Sequence, residues 1–101
     1  MASFLYQTNG TIVPVSPGNG SHWTLKELQG LVGGYIELGR TIDGRWLVLN
    51  ELGKVLKEPL PLNVEATKIY TYGQVDPLVG PVVVVDTKLE LDGPEEKQEG
   101  E

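Results

Sequence analysis

Between Trp23 and Glu37 the chain passes from helix to strand, and the residues at both ends of that helix fix where it starts and stops. Thr24 can accept from the first free N–H groups of a helix, and Glu27, three residues on, completes a capping box. Trp23 before the cap and Leu28 after it have the spacing of a hydrophobic staple. Leu25, Leu28, Leu31 and Val32 then fall on one apolar stripe. Gly33 supplies the left-handed residue that ends a helix, and Gly34 frees the exit into Tyr35-Ile36-Glu37-Leu38, which reads as a strand. A chain with this junction packs a helix against a sheet.

The flanking segments supply the sheet. Phe4–Gln7 and Thr11–Val15 alternate around Asn9-Gly10, a pair that supplies positive φ angles for a tight hairpin. Pro14 cannot donate to a ladder, so its strand is predicted to lie at an edge or to end early. Asp43-Gly44 turns Tyr35–Leu38 into Arg45–Leu49, whose near-continuous apolar run predicts a strand buried on both faces. Val55-Leu56 is a further short strand candidate. Asn63 caps a short helix reaching Tyr70, and Pro59 and Pro61 keep the preceding segment extended. Val82–Val85 is four β-branched residues in a row and predicts a buried final strand. The expected fold class is therefore α+β: one small domain over residues 1–85, a mostly antiparallel sheet of about five strands with two short helices, in the order β-β-α-β-β-α-β.

Composition removes several functions. The 101 residues include no cysteine, which excludes disulfide frameworks, thiolate zinc sites and cysteine nucleophiles. The longest aliphatic run is Val82–Val85, far short of the roughly 20 residues that cross a bilayer, so no membrane association is expected. The net charge of -6 is concentrated after Val85. Residues 86–101 hold seven acids against Lys88 and Lys97, and this segment reads as an acidic, disordered tail. Residues 1–85 balance seven acids with six bases. No basic stripe exists to neutralise the phosphates of duplex nucleic acid.

Candidate chemistry is sparse. His22 is the only histidine, and no serine has a visible catalytic partnership with it. The carboxylates Glu37, Asp43, Glu51, Glu58, Glu65 and Asp76 show no spacing that marks an acid–base pair. Gly30, Gly33 and Gly34 follow a helix, whereas a phosphate cradle places its glycines before one. No catalytic residue, metal site or cofactor is expected, and the chain reads as a non-enzyme. Asn50-Glu51-Leu52-Gly53-Lys54 reads as a surface turn, with Asn50 and Lys54 able to meet a polar or anionic ligand. Asn63 and Thr67 share a helix face, although capping accounts for Asn63 by itself. Tyr70 and Tyr72 flank a loop and could reach a small nucleotide-like ligand.

Taken in order, Thr24–Gln29, Leu31–Glu37, Asp43-Gly44-Arg45, Asn50–Lys54, Leu60–Asn63, Ala66-Thr67 and Val79–Val84 make the chain similar to a family of small bacteriophage and prophage proteins. That family is a domain of unknown function. The resemblance spans roughly residues 4–85; Leu52 departs from it, standing where the pattern prefers an acid. It implies a phage-type accessory protein in the cytoplasm of an infected bacterial host. The first expectation is a non-enzymatic protein that sequesters a small host molecule, such as a nucleotide-type defence signal. Such a protein would form a symmetric homo-oligomer and draw its contacts from Arg40, Arg45, Asn50, Lys54, Asn63, Thr67 and Tyr70. The alternative is a protein-binding inhibitor of a host factor, acting through an exposed edge strand or the acidic tail.

Overall fold

The computed structural model describes residues 3–55 and 58–86. Its elements are β1 (Ser3–Tyr6), β2 (Ile12–Val15), α1 (Leu25–Val32), β3 (Ile36–Arg40), β4 (Trp46–Asn50), α2 (Val64–Ile69) and β5 (Val82–Val85). The order β-β-α-β-β-α-β is the expected one. The tail beyond Asp86 and the Leu56 end of the expected extra strand lie outside the described residues, and Val55 closes a turn by donating to Leu52 O at 3.0 Å.

The five strands form one sheet in the order β2-β1-β5-β4-β3, with every neighbouring pair antiparallel. The last strand thus inserts at the centre, between β1 and β4. All four of its valines have no exposed surface. Val82 and Val84 join Tyr6, Leu47, Leu49, Ala66 and Leu78 on one face, which α2 covers. Val83 and Val85 join Trp23, Leu28, Val32 and Val48 on the other, which α1 covers. A strand packed on both faces has no room for a polar side chain, which is why β5 reads as uninterrupted valine.

The two ends of α1 form as their residues dictate. The Thr24 hydroxyl accepts from the Glu27 amide at 3.1 Å, and the Glu27 carboxylate accepts from the Thr24 amide at 3.0 Å. The second Glu27 oxygen accepts from Gly18 N at 2.8 Å and ties the 16–22 loop to the helix start. These bonds, led by that from Thr24, hold the Glu27 carboxyl below its ordinary pKa. Gly33 adopts φ +86 and donates to Gln29 O at 2.8 Å. Gly34 does something the sequence does not show. It has no positive φ, but a Cβ on it would stand 3.0 Å from Asn50 Nδ2. It supplies space rather than conformational freedom.

Both hairpins differ in detail from the expected tight turn. Gln7 N–H donates to Thr11 O at 2.9 Å and Gly10 N–H to Gln7 O at 3.1 Å, with Gly10 alone at positive φ. Thr41, Gly44 and Arg45 repeat this pattern between β3 and β4. Each is a three-residue loop built on a type I turn with a left-handed glycine, so Asn9 and Asp43 need no positive φ. Pro14 sits on an edge strand, as expected. Counting along the ladder from the Gln7–Thr11 pair, residues 12 and 14 face outward, so Pro14 removes an outward donor and no internal bond.

Gly30 stands exposed in the middle of α1, and a Cβ there would meet nothing within 4 Å. Gly30→Ala is expected to stabilise the domain by about 1 kcal/mol through helix propensity. Calorimetry should show a rise in Tm of roughly 5 °C; an unchanged or lower Tm would mean that the helix backbone is not held as described at this position.

Candidate functional site

A cleft of about 740 Å³ lies on the α2 side of the sheet. Three segments enclose it: the exposed flank of α2, the tip of the β3–β4 hairpin, and the 71–77 loop. Backbone bonds hold them together. Thr41 and Tyr70 form an isolated antiparallel bridge, and Ile42 N–H donates to Ile69 O at 2.9 Å. Thr71 donates to Arg40 O from both its amide (3.0 Å) and its hydroxyl (2.8 Å). Within the loop, the Val75 and Asp76 amides both donate to Tyr72 O. The Lys54–Asp76 ion pair fastens the loop to the turn after β4.

The cleft wall is apolar and aromatic. Tyr70 and Tyr72 meet edge to face, with ring centroids 5.8 Å apart at 81°. The Tyr70 ring packs over Gly39, where a Cβ would stand 3.0 Å from Cε1. Burial, then the charges of Asp76 and Glu37, push the Tyr70 hydroxyl above its ordinary pKa, so it stays protonated at neutral pH and can donate. Five large apolar side chains that would ordinarily be covered line the cleft while exposed: Ile42, Leu62, Val64, Tyr72 and Val75. Val75 is 83% exposed and Ile42 73%. Together they give the cleft an apolar lining open to solvent. Lys68 stands at the rim in an exposed pair with Glu65 at 3.0 Å, a contact weak enough in water for a ligand anion to replace.

The structure distributes the seven residues expected at a ligand site over several places. Thr67 and Tyr70 line the cleft. Thr67 is committed as well: its hydroxyl donates to Asn63 O at 2.7 Å and accepts from Leu78 N at 2.9 Å. Asn63 has no exposed surface; its amide donates to Tyr6 O and Gly80 O, both at 2.8 Å, and its carbonyl accepts from Ala66 N at 3.1 Å. Asn50 lies on the α1 face and is 7% exposed. It donates to Val32 O at 3.1 Å and accepts from Leu52 N at 2.8 Å, joining the end of α1 to the end of β4. Lys54 is paired with Asp76 outside the cleft wall. Arg40 lies 4.2 Å over the Trp46 ring and donates to Gly44 O at 3.0 Å. Arg45 donates to both Asp43 oxygens at 3.1 Å. The Thr41 hydroxyl and then Arg45 lower the Asp43 carboxyl to about 2, so it is ionised and no proton donor at neutral pH.

Ile42, Leu62, Val64, Lys68 and Val75 were not singled out by sequence reasoning. Ile42 carries the one local signal, a large apolar residue at a hairpin tip where polar residues are usual. A smaller hollow of about 360 Å³ lies between β2 and α1, floored by Trp23 and bordered by Gly30 and Leu31. Among the described residues no group of three or more His, Asp or Glu side chains could hold a metal ion, and no helix is long and apolar enough to cross a membrane.

Fold and cleft together define a small α+β domain with one helix on each face of an antiparallel sheet and an open apolar cleft beside the second helix. The chain belongs to the DUF3846 family, a domain of unknown function, whose model matches residues 8–96. Neither a curated protein nor a solved structure matches it.

Proposed function

We propose that this chain is a non-enzymatic binding protein, a phage-type accessory protein whose cleft beside α2 sequesters a small planar ligand of nucleotide type. The observation that carries the reading is the cleft itself: about 740 Å³, within the size range of small-molecule sites, with a tyrosine pair in its wall and exposed apolar side chains around it. A base or other flat ring would cover Tyr72, Ile42 and Val75, and Lys68 would turn from Glu65 to a ligand anion. Gln74 offers a polar side chain at the same wall. The phage setting and the defence-signal class of ligand rest on the sequence resemblance alone.

A thermal shift assay against nucleosides, mononucleotides and cyclic nucleotides tests this. A ligand at a hundred times its Kd stabilises the native state by about 2.7 kcal/mol, which is several degrees for a domain of this size. Tyr72→Ala removes an exposed ring and is expected to abolish the shift while leaving the unliganded Tm nearly unchanged. A panel without any shift counts against sequestration.

The same exposed side chains favour a second reading, an inhibitor that docks a host protein on this face. The edges are less suited to that role, because Pro14 interrupts the outer side of β2 and Thr71 occupies the outer carbonyl of Arg40 at the end of β3. Val75→Glu would then abolish capture of the partner in the absence of any nucleotide response.

A further inference from the structure

Two Asn-Gly pairs occur in this chain, and their backbones are near copies. Gly10 N–H donates to Gln7 O at 3.1 Å and Gly20 N–H to Pro17 O at 3.0 Å. Both glycines have positive φ, +91 and +77, and open space where a Cβ would be. In both, the asparagine Oδ1 accepts from the amide two residues on, Thr11 N and Ser21 N, each at 2.9 Å. The surroundings of the two carboxamides differ. Asn19 Oδ1 also accepts from His22 N at 3.0 Å, and Asn19 Nδ2 lies 3.4 Å from His22 Nε2. The Ser21 hydroxyl meets His22 Nδ1 at 3.0 Å and holds the ring in place. No such ring stands beside Asn9 among the described residues.

We propose that Asn19–Gly20 is a site of self-catalysed modification, at which the Asn19 side chain is converted through a succinimide to aspartate and isoaspartate. Bonds to the amides of residues 21 and 22 hold the carboxamide against the backbone that follows residue 20, and Asn9 Oδ1 has only the first of these two bonds. Those two N–H groups also point at Oδ1, where negative charge develops when Cγ is attacked, as in an oxyanion hole. Glycine presents the least hindered backbone nitrogen.

The steps balance. Gly20 N–H first leaves its bond to Pro17 O, gives its proton to a solvent base, and the nitrogen attacks Asn19 Cγ, forming the C–N bond of a five-membered ring. The proton from Gly20 N passes through solvent to His22 Nε2, the Cγ–Nδ2 bond breaks, and Nδ2 leaves as ammonia with that proton, so the ring ends neutral as it began. In the tautomer in which Nδ1–H donates to Ser21 Oγ, Nε2 carries the lone pair that accepts from Asn19 Nδ2–H and so faces the leaving group. Water opens the succinimide at either carbonyl, and the net reaction consumes one water and releases one ammonia.

The product changes the entry to α1. Aspartate adds a negative charge next to the helix start. Isoaspartate lengthens the backbone by one atom and breaks the Pro17–Gly20 turn, and with it the register of the Gly18–Glu27 bond. The loop that borders the Trp23 hollow is thereby altered irreversibly.

The test is incubation of the full chain at neutral pH, with peptide mapping by mass spectrometry to follow the gain of about 1 Da at each asparagine. Asn19 is expected to convert well ahead of Asn9 in the folded protein, and the two to converge in urea. His22→Gln is expected to slow Asn19 by about tenfold and leave Asn9 unchanged; the reduction is below the ~10²-fold of a fully positioned acid because 3.4 Å is a long contact. The proposal is overturned if folded Asn9 converts as fast as Asn19, or if His22→Gln leaves the Asn19 rate where it was. Circular dichroism of the variant confirms that the fold is kept, and the matched Asn9 rate serves as an internal check.

Discussion

Replacing Asn63 by alanine is expected to lower the stability of this domain by about 4 kcal/mol, a large share of the 5–15 kcal/mol of a typical domain. The side chain has no exposed surface and joins three parts of the molecule: the end of β1 through Tyr6 O, the approach to β5 through Gly80 O, and the start of α2 through Ala66 N. Alanine removes three buried hydrogen bonds and takes their side-chain partner from Gly80 O and the helix-terminal Ala66 N–H, at a cost of about 1–3 kcal/mol each. Asn63→Asp should be worse, since a carboxylate cannot donate and would face Tyr6 O and Gly80 O as a third acceptor. Urea unfolding followed by tryptophan fluorescence would report the change as a fall in the midpoint at constant slope. The measurement also separates two roles for this residue. A ligand contact would lose binding with its midpoint intact, whereas a structural joint loses its midpoint first.

What the sequence revealed and what it hid divide along the range of the interactions. The ends of α1 were legible because Thr24, Glu27 and Gly33 find their partners within a few residues. The edge position of β2 followed from Pro14, and the burial of β5 from four consecutive valines, since each is a property of the residue itself. Turn locations were legible at Asn9-Gly10 and Asp43-Gly44, but not the turn type, because a left-handed glycine serves a two-residue and a three-residue loop alike. Asn63 reads as a cap from its local bond to Ala66, while its bond to Tyr6, 57 residues away, leaves no trace in the spacing. Asn50 looked available in a surface turn. Its true partner is Val32 O, 18 residues earlier, and the room for it is made by Gly34. The same limit explains the cleft. Its walls come from residue 42, residues 62–68 and residues 70–77, brought together by the Thr41–Tyr70 bridge. Nothing in the local pattern of any of these segments points to the other two.

The cleft therefore depends on how closely the 71–77 loop can approach α2, and Gly73 is where that approach is tightest. A Cβ at Gly73 would run into Thr67 O and stand 3.2 Å from Tyr70 O, both backbone atoms that cannot rotate aside. Gly73 N–H meanwhile donates to Tyr70 O at 3.0 Å, so the residue is held against the last turn of the helix. Gly73→Ala must lift the loop or distort α2, at a cost of about 3 kcal/mol, the upper end for overpacking. The displacement acts on Tyr72 and Val75, the exposed side chains that the binding proposal relies on. At a temperature where the variant is still folded, amide chemical shifts are expected to change around residues 41–42 and 67–77 while β1, β2 and α1 stay as they are. Any stabilisation by a cleft ligand should disappear with them. Gly30→Ala provides the contrast, a glycine replaced on the opposite face of the sheet, raising Tm and leaving the ligand response in place. If Gly73→Ala keeps both its Tm and its amide spectrum, the loop does not pack on α2 as described, and the cleft loses the wall on which its proposed function stands.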